Sequence, residues 1–330
     1  MTTPEIITAV WRHYGLVVQA VERIDRGSAD LYKLHVGGAS YILKQFQPKF
    51  HADSILREVH VVQFLRQSGL AVPEYVPCRN GEFYFTQDGR IVILQKFIPG
   101  QVRAKSSSTE KELLDAARLL AQIVNALERY PYNDLLPCDT AKYGSAARLQ
   151  KSRAAYVNMM AAAKADAAHG AAICRDLQDR IAMIDRVSDA GAFVDLSAVT
   201  VKRSHGDYSV LQLLYNGDEI KAVLDFVNAG EVPIAWELIR SYSYADRTFS
   251  IPRLAAYVNE YRRYADLNTD DLRYMPYLYL GQLLGSTYGY KQYLQTGDKA
   301  LLAFGQWRTE MCRYLMENAG EAAAELVRLS

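Results

Sequence analysis

Ser204-His205-Gly206-Asp207-Tyr208-Ser209-Val210-Leu211-Gln212-Leu213-Leu214-Tyr215, closed by Asn216-Gly217 and followed by Ala222-Val223-Leu224-Asp225-Phe226, is the stretch that decides the fold. A carboxylate, Asp207, is followed five residues later by the side-chain amide of Gln212. A second carboxylate, Asp225, enters from the end of the next strand-like segment. Asn216-Gly217 between the two segments is a hairpin signal, because these residue types tolerate the positive φ angles of a tight turn. Phosphoryl transfer needs such parts: a carboxylate to orient the attacking hydroxyl and accept its proton, and oxygen ligands to hold Mg²⁺ against nucleotide phosphates. Asp207 fits the first role, with Gln212 and Asp225 as the metal ligands.

Working outward, the first hundred residues differ from the rest. Residues 3–14 have the spacing of an amphipathic helix. Strand-like segments follow at 17–24, 31–36, 41–46, 81–86 and 90–98, separated by turn signals such as Gly37-Gly38 and Asp88-Gly89. Residues 54–67 carry Ile55, Val59, Val62 and Leu65 on one helical face. One helix among some five hairpin-linked strands describes a small antiparallel α+β lobe. Pro99-Gly100 and 106–108 read as a linker, after which Thr109 and Glu112 form a capping box. The chain is then mostly helical, with two helices expected over 145–187 around His169-Gly170. Short β-like segments recur at 199–201, 211–215 and 220–226. From 233 onward the pattern is helical again, including an apolar helix following Pro276. The expected organisation is residues 1–99 as one lobe, a hinge at 94–100, and residues 100–330 as a larger helical lobe.

The composition narrows the function class. Lys plus Arg is 38 and Asp plus Glu is 37 in 330 residues, a net charge of +1 that offers no basic field for nucleic acid. Half of the residues are hydrophobic, too many for a disordered regulator. Cys78, Cys138, Cys174 and Cys312 form no C-x-x-C pair, so metal-site spacing is absent. Scattered thiols, the charges Glu5, Arg12 and Glu22 near the start, and the lack of an apolar run of about 18–20 residues give a cytoplasmic expectation with no membrane partner.

The His-Gly-Asp segment, the hairpin and Leu224-Asp225-Phe226 resemble the aminoglycoside phosphotransferase and choline kinase-like family. That resemblance implies a two-lobed protein-kinase-like fold over nearly the whole chain, with an antiparallel N-terminal lobe and a mostly helical C-terminal lobe. It further implies an ATP- and Mg²⁺-dependent kinase acting on a small-molecule hydroxyl. Tyr41-Ile42-Leu43-Lys44-Gln45 is similar to the strand whose lysine holds the nucleotide phosphates, and Glu58, fourteen residues on, would pair with Lys44. Gly27 and Ser28 occupy the place of the phosphate-covering loop. In Leu94-Gln95-Lys96-Phe97-Ile98-Pro99-Gly100, similar to the family's hinge, backbone groups of Lys96 and Ile98 would bond the adenine edge. His205 would support the catalytic loop. Glu237, in Trp236-Glu237-Leu238-Ile239-Arg240, stands where the family has an Asp that anchors it. Tyr261-Arg262-Arg263-Tyr264 and the helix after Pro276 resemble the homoserine-kinase and spore-coat-kinase branches.

Gln212 departs from the family, which has Asn there. Gln has the same donors and acceptor but reaches one methylene further. Either it serves as a Mg²⁺ ligand, or the protein is a weak or inactive nucleotide-binding pseudokinase; a protein kinase is a third alternative. Residues 251–330 hold nine acidic and nine basic side chains, which gives no support for a polycationic acceptor. The same stretch holds ten of the 23 tyrosines. These are either packing residues or an aromatic wall for a sugar, an amine or an amino-alcohol, with Tyr277, Leu284 and Tyr288 on one helix face.

Overall fold

The computed structural model describes residues 1–24, 29–104, 108–191, 194–246 and 248–328. The chain divides into two compact units, one of Met1–Leu136, Arg203–Glu231 and Tyr244–Arg247, the other of Pro137–Lys202, Val232–Ser243 and Thr248–Ser330.

The first unit begins with helix α1 (Thr3–Tyr14) and strands β1 (Ala20–Ile24), β2 (Asp30–Val36) and β3 (Ala39–Gln45). Helix α2 (Ala52–Gln67) is followed by β4 (Tyr75–Val76), β5 (Tyr84–Gln87), β6 (Arg90–Lys96) and β7 (Gln101–Val102). An antiparallel sheet runs β1-β2-β3-β6-β4, with β5 also paired to β6. Successive residues of a strand face opposite sides, and β3 uses both faces. Leu43 joins Ile6, Val10, Leu34, Phe85, Val92 and Leu94 in a core shared with α1. Ile42 and Lys44 point the other way. Helix α2 buries Ile55, Val59, Val62 and Leu65, as their spacing predicts, and Glu58 is buried with them.

Helix α3 (Glu110–Leu127) starts at the expected cap: the Thr109 hydroxyl accepts from the Glu112 N–H, and the Glu112 carboxylate accepts from the Thr109 N–H. Strand β8 (Val201–Ser204) leads into the His-Gly-Asp segment. The hairpin β9 (Leu213–Asn216) and β10 (Glu219–Val223) follows, and β7 adds to it as a third strand. Thus Gln101-Val102, expected in a linker, is a short strand. Val210–Gln212 is a 3₁₀ turn, so Leu211 and Gln212 do not belong to the strand expected over 211–215. Strand β11 (Gly230–Pro233) comes next.

The second unit is built on α4 (Ala146–Ala163), α5 (Gly170–Asp189), α6 (Ile234–Ala245), α7 (Ile251–Arg262), α8 (Thr269–Leu284), α9 (Tyr290–Thr296) and α10 (Lys299–Arg328). Two expectations are corrected here. Helix α8 does not begin after Pro276 but runs through it, started by a capping box in which Asn268 and Asp271 satisfy each other's N–H groups. Because α8 ends at Leu284, Tyr288 shares no helix face with Tyr277 and lies in the turn before α9.

Several tyrosines of this unit are structural. Tyr257 and Tyr279 hydrogen-bond Ser241 and Ser243 of α6 at 2.5 and 2.6 Å. Tyr242 donates to Ser250 O and Tyr314 to Phe249 O. Tyr156 donates to Leu284 O and Ser286 O, past the end of α8. Beside it lies Arg180, 1% exposed. Its guanidinium donates to Thr309 Oγ1 (2.8 Å), Tyr156 Oη (3.1 Å), Leu283 O (3.2 Å), Ser286 O (3.2 Å) and Gly305 O (3.4 Å). Among the described residues no helix is long and apolar enough to cross a membrane.

Candidate active site

Strand β3 delivers Lys44 and helix α2 delivers Glu58. The segment after β10 delivers Asp225. The Lys44 ammonium lies 2.9 Å from Asp225 Oδ1 and 3.5 Å from Glu58 Oε1. Glu58 is 1% exposed and accepts a second hydrogen bond, 2.9 Å, from the Tyr75 hydroxyl. Burial opposes the Lys44 charge, but Glu58 and Asp225 together hold its pKa above the ordinary lysine value. Burial also opposes charge on Asp225; attraction and a hydrogen bond from Lys44 outweigh it, and the carboxyl stays below the usual range. Glu58 goes the other way. Its burial pushes the carboxyl up, Lys44 and Tyr75 pull it down, and Asp225 raises it further. At neutral pH the signs are a protonated Lys44 and an ionised Asp225.

The His-Gly-Asp segment is fixed by its own backbone. Fully buried His205 places Nε2 2.9 Å from Leu224 O, while Nδ1 receives the Asp207 N–H at 3.2 Å. A carbonyl can only accept and an N–H can only donate, so the imidazole is the neutral Nε2–H tautomer. Leu224, which His205 grips, donates its own N–H to Gln212 O at 2.8 Å. Tyr208 anchors the turn to α3 through a 2.8 Å bond to Ala116 O. Gln212 Nε2 donates to Asp207 Oδ2 at 3.3 Å. Asp225 itself sits at φ 65°, ψ 63°, the left-handed region that Asp and Asn tolerate better than most residues.

Gly206 has no substitute in this arrangement. Its φ is +77°, and a Cβ there would stand 2.0 Å from Asn228 O. Gly206→Ala therefore adds a backbone clash to about 1–3 kcal/mol of conformational strain. The expected outcome is a lower thermal midpoint together with a loss of about a hundredfold in turnover, since a displacement of about 1 Å at a reacting group costs that much. Thermal unfolding and activity measured on one preparation check it.

A cavity of about 510 Å³ opens at these groups. Ile24, Leu31, Ile42, Val102, Leu214 and Leu224 supply apolar wall, and Lys44, Glu58, Gln212 and Asp225 stand in its lining. Of the expected adenine-binding segment, Gln95, Phe97 and Ile98 line the cavity. Lys96 turns its side chain away to Glu74 at 2.7 Å, and its N–H is taken by Glu74 O at 2.9 Å. The Phe97 N–H is likewise taken, by Ser40 O. What Lys96 can offer a base is therefore its carbonyl. Lys44, Glu58, Gln212, Asp225 and Ile98 thus share one cavity, and Asp207 is joined to it through Gln212. Gly27 and Ser28 lie outside the described residues. Glu237 is fully buried in the first turn of α6, in the second unit. Sequence reasoning passed over Tyr75; its one signal is a tyrosine two residues after Pro73, at the start of a strand too short to show alternation.

A lysine on an antiparallel sheet, a glutamate on the helix that follows, then a His-Gly-Asp turn, a hairpin and an aspartate define the two-lobed protein-kinase-like fold. Solved structures of that fold match end to end. A spectinomycin phosphotransferase in complex with ADP and spectinomycin superposes with a TM-score of 0.69 at 16% identity, covering 100% of this chain and 99% of that one. An amicoumacin kinase in complex with AMP-PNP, Ca²⁺ and Ami gives 0.67 at 13% identity, covering 95% and 94%. A microcompartment-associated aminopropanol kinase gives 0.66 at 16% identity, covering all of both chains. A search of curated protein sequences gave no significant match. The profile of the phosphotransferase enzyme family matches residues 20–276. The chain belongs to that family, and it is a phosphotransferase.

Proposed function

We propose that the protein is a kinase that moves the γ-phosphoryl group of ATP to a hydroxyl of a small molecule, an amino-alcohol, a sugar or an aminoglycoside-like compound. The observation that carries this is the placing of Lys44 between Glu58 and Asp225 in the lining of a cavity of about 510 Å³, whose Gln212 in turn bonds Asp207. In this reading residues 1–99, with the segment 94–100, hold the nucleotide. Residues 100–330 bring the catalytic loop and select the acceptor.

Lys44 binds the phosphates, kept charged and aimed by Glu58. Asp207 orients the acceptor hydroxyl and takes its proton as the oxygen attacks phosphorus, while the nucleoside diphosphate leaves. His205 holds the loop that presents Asp207. The donor set suits a hard divalent cation. Asp225 offers a carboxylate, and Gln212, whose Nε2 is committed to Asp207, offers its amide oxygen. Among the described residues no group of three or more His, Cys, Asp or Glu gathers to hold a metal. Two protein ligands suit Mg²⁺, which completes its shell with phosphate oxygens and water. Bound there, the cation would neutralise charge on the phosphates.

Two features bear on the acceptor. The balanced charge of residues 251–330 suits a neutral or singly charged compound better than a polycation. The three solved relatives carry names that point to spectinomycin, amicoumacin and aminopropanol as their acceptors. Purified protein with MgATP, screened for ADP release against alcohols, amino acids, amino-alcohols, sugars and aminoglycosides, tests the proposal. Acceptor-dependent release is the expected result. Nucleotide binding with no release across the whole panel would favour the pseudokinase reading.

Gln212 decides between those readings. Its contact with Asp207 already spans 3.3 Å, and Asn is one methylene shorter. Gln212→Asn is therefore expected to lower turnover by about tenfold or more, since small displacements at a reacting group are costly. A large gain in its steady-state rate would show instead that the longer amide impairs the native site.

A further inference from the structure

Glu58 is held by two donors of unequal quality. The Lys44 contact, at 3.5 Å, lies at the edge of hydrogen-bonding range, whereas the Tyr75 contact is 2.9 Å. Lys44 leans toward Asp225, also at 2.9 Å. Both strong claims on Glu58 and Lys44 therefore come from elsewhere, and the Lys44–Glu58 pair is the weak link between them. Glu58 Oε2 is buried with no hydrogen-bond partner, so Oε1 carries the hydrogen bonding of the carboxylate. A buried carboxylate in that condition needs a fixed donor. Tyr75 is a suitable one. It is 7% exposed and lies on β4, where it pairs Gln95 of β6, which pairs Ile42 of β3 on its other side. The ladder continues through Lys96 N–H to Glu74 O, so the short strand is pinned at three consecutive residues. Directly paired residues share a face of the sheet. Gln95 and Ile42 line the cavity, and Tyr75 is therefore on the cavity side.

We propose that Tyr75 is a positioning residue: its hydroxyl fixes Glu58 toward the cavity and thereby sets where Lys44 meets the nucleotide phosphates. The proposal rests on the reading of Lys44 as the phosphate-binding lysine. A positioning role is set before the nucleotide arrives and acts on binding more than on the chemical step. Tyr75→Phe keeps the ring and its packing and removes only the hydroxyl.

ADP titrated by calorimetry, with MgCl₂ and again in EDTA, gives the readout that does not depend on turnover. The expected result for Tyr75→Phe is about tenfold weaker ADP binding, about 1.4 kcal/mol. The KM for ATP should rise by a similar factor, with kcat within about threefold of wild type if the effect is on binding rather than on the transition state. A double-mutant cycle with Glu58→Gln, read both in ADP affinity and in the thermal midpoint of the nucleotide-free protein, should show the two substitutions to be coupled. Wild-type ADP affinity in Tyr75→Phe, or strictly additive effects in the double variant, would overturn the proposal. Lys44→Met separates the two levels. If it binds ADP as wild type does, the phosphate-binding reading of Lys44 falls and Tyr75 falls with it. If Lys44→Met loses affinity and Tyr75→Phe does not, only the role of Tyr75 falls.

Discussion

Asp207→Asn is expected to lower the rate of phosphoryl transfer by about 10³-fold, within the range for loss of a general base, while nucleotide affinity stays within about twofold of wild type. Asn has the shape of Asp, and its amide oxygen still accepts from Gln212 Nε2, which lies 3.3 Å from Asp207 Oδ2. The backbone bond from the Asp207 N–H to His205 Nδ1 does not depend on the side chain. What disappears is a group that can take a proton from the acceptor hydroxyl. Lys44, Glu58 and Asp225 are untouched, so nucleotide binding persists. ADP release with the best acceptor from the screen, beside ADP affinity and a melting curve, makes the comparison. A variant that keeps transfer within threefold of wild type would remove Asp207 from the role of base and leave its loop as a scaffold.

The second large effect belongs to the helical unit. Arg180→Leu is expected to destabilise it by about 3–5 kcal/mol, because several hydrogen bonds to a charged group, each worth about 1.5–3 kcal/mol, are lost together, and to lower the melting temperature by on the order of 10 °C. The arginine cannot shed its proton to suit its burial. Its charge is met by carbonyl oxygens: Leu283 O at the end of α8, Ser286 O just past it and Gly305 O on α10, with Thr309 and Tyr156 hydroxyls completing the shell. Carbonyls at a helix C-terminus carry partial negative charge, which suits a cation. A leucine would remove five hydrogen bonds to a charged donor at once, and only part of that loss is made good by the donors that remain, Tyr156 to Ser286 O, Thr309 Oγ1 to Gly305 O and the Ser286 N–H to Leu283 O. Arg180→Lys should recover only part of the loss, since an ammonium cannot reproduce the planar fork. A melting temperature within 2 °C of wild type for Arg180→Leu would show that water or a neighbouring donor takes over the shell.

Much of this was legible along the chain, for identifiable reasons. The strand and the helix that carry Lys44 and Glu58 announce themselves by period, while the two residues themselves stand out through the resemblance to the family's lysine and glutamate. The Thr109–Glu112 cap and the Asn216-Gly217 turn are local chemistry, and local chemistry survives folding. Strands β4 and β7 were not legible. Two residues show no alternation, and Tyr75–Val76 and Gln101–Val102 are strands only because β6 and β9 pair with them. The 3₁₀ turn at Val210–Gln212 was missed because a short apolar run reads alike as strand or turn. Pro276 misled because proline usually breaks helices, while the Asn268–Asp271 cap and the burial of α8 outweigh it. In the site, Lys96 shows the limit: a backbone N–H has no sequence signature, and only the ladder reveals that Glu74 already holds it. Arg180 shows the same for the core, since a single arginine in an amphipathic helix ordinarily reads as a solvated one.

The sharing of Lys44 has a consequence for which form of nucleotide the protein admits. The Lys44 ammonium is shared between Asp225 and Glu58, and Asp207 joins the same cavity through Gln212. The whole-chain charge of +1 adds little long-range attraction for an anion. An uncomplexed triphosphate would bring its own negative charge beside a carboxylate, Asp225, that already holds the lysine. On the proposed reading, the pocket would favour a polyphosphate that arrives already neutralised by its cation over the bare anion.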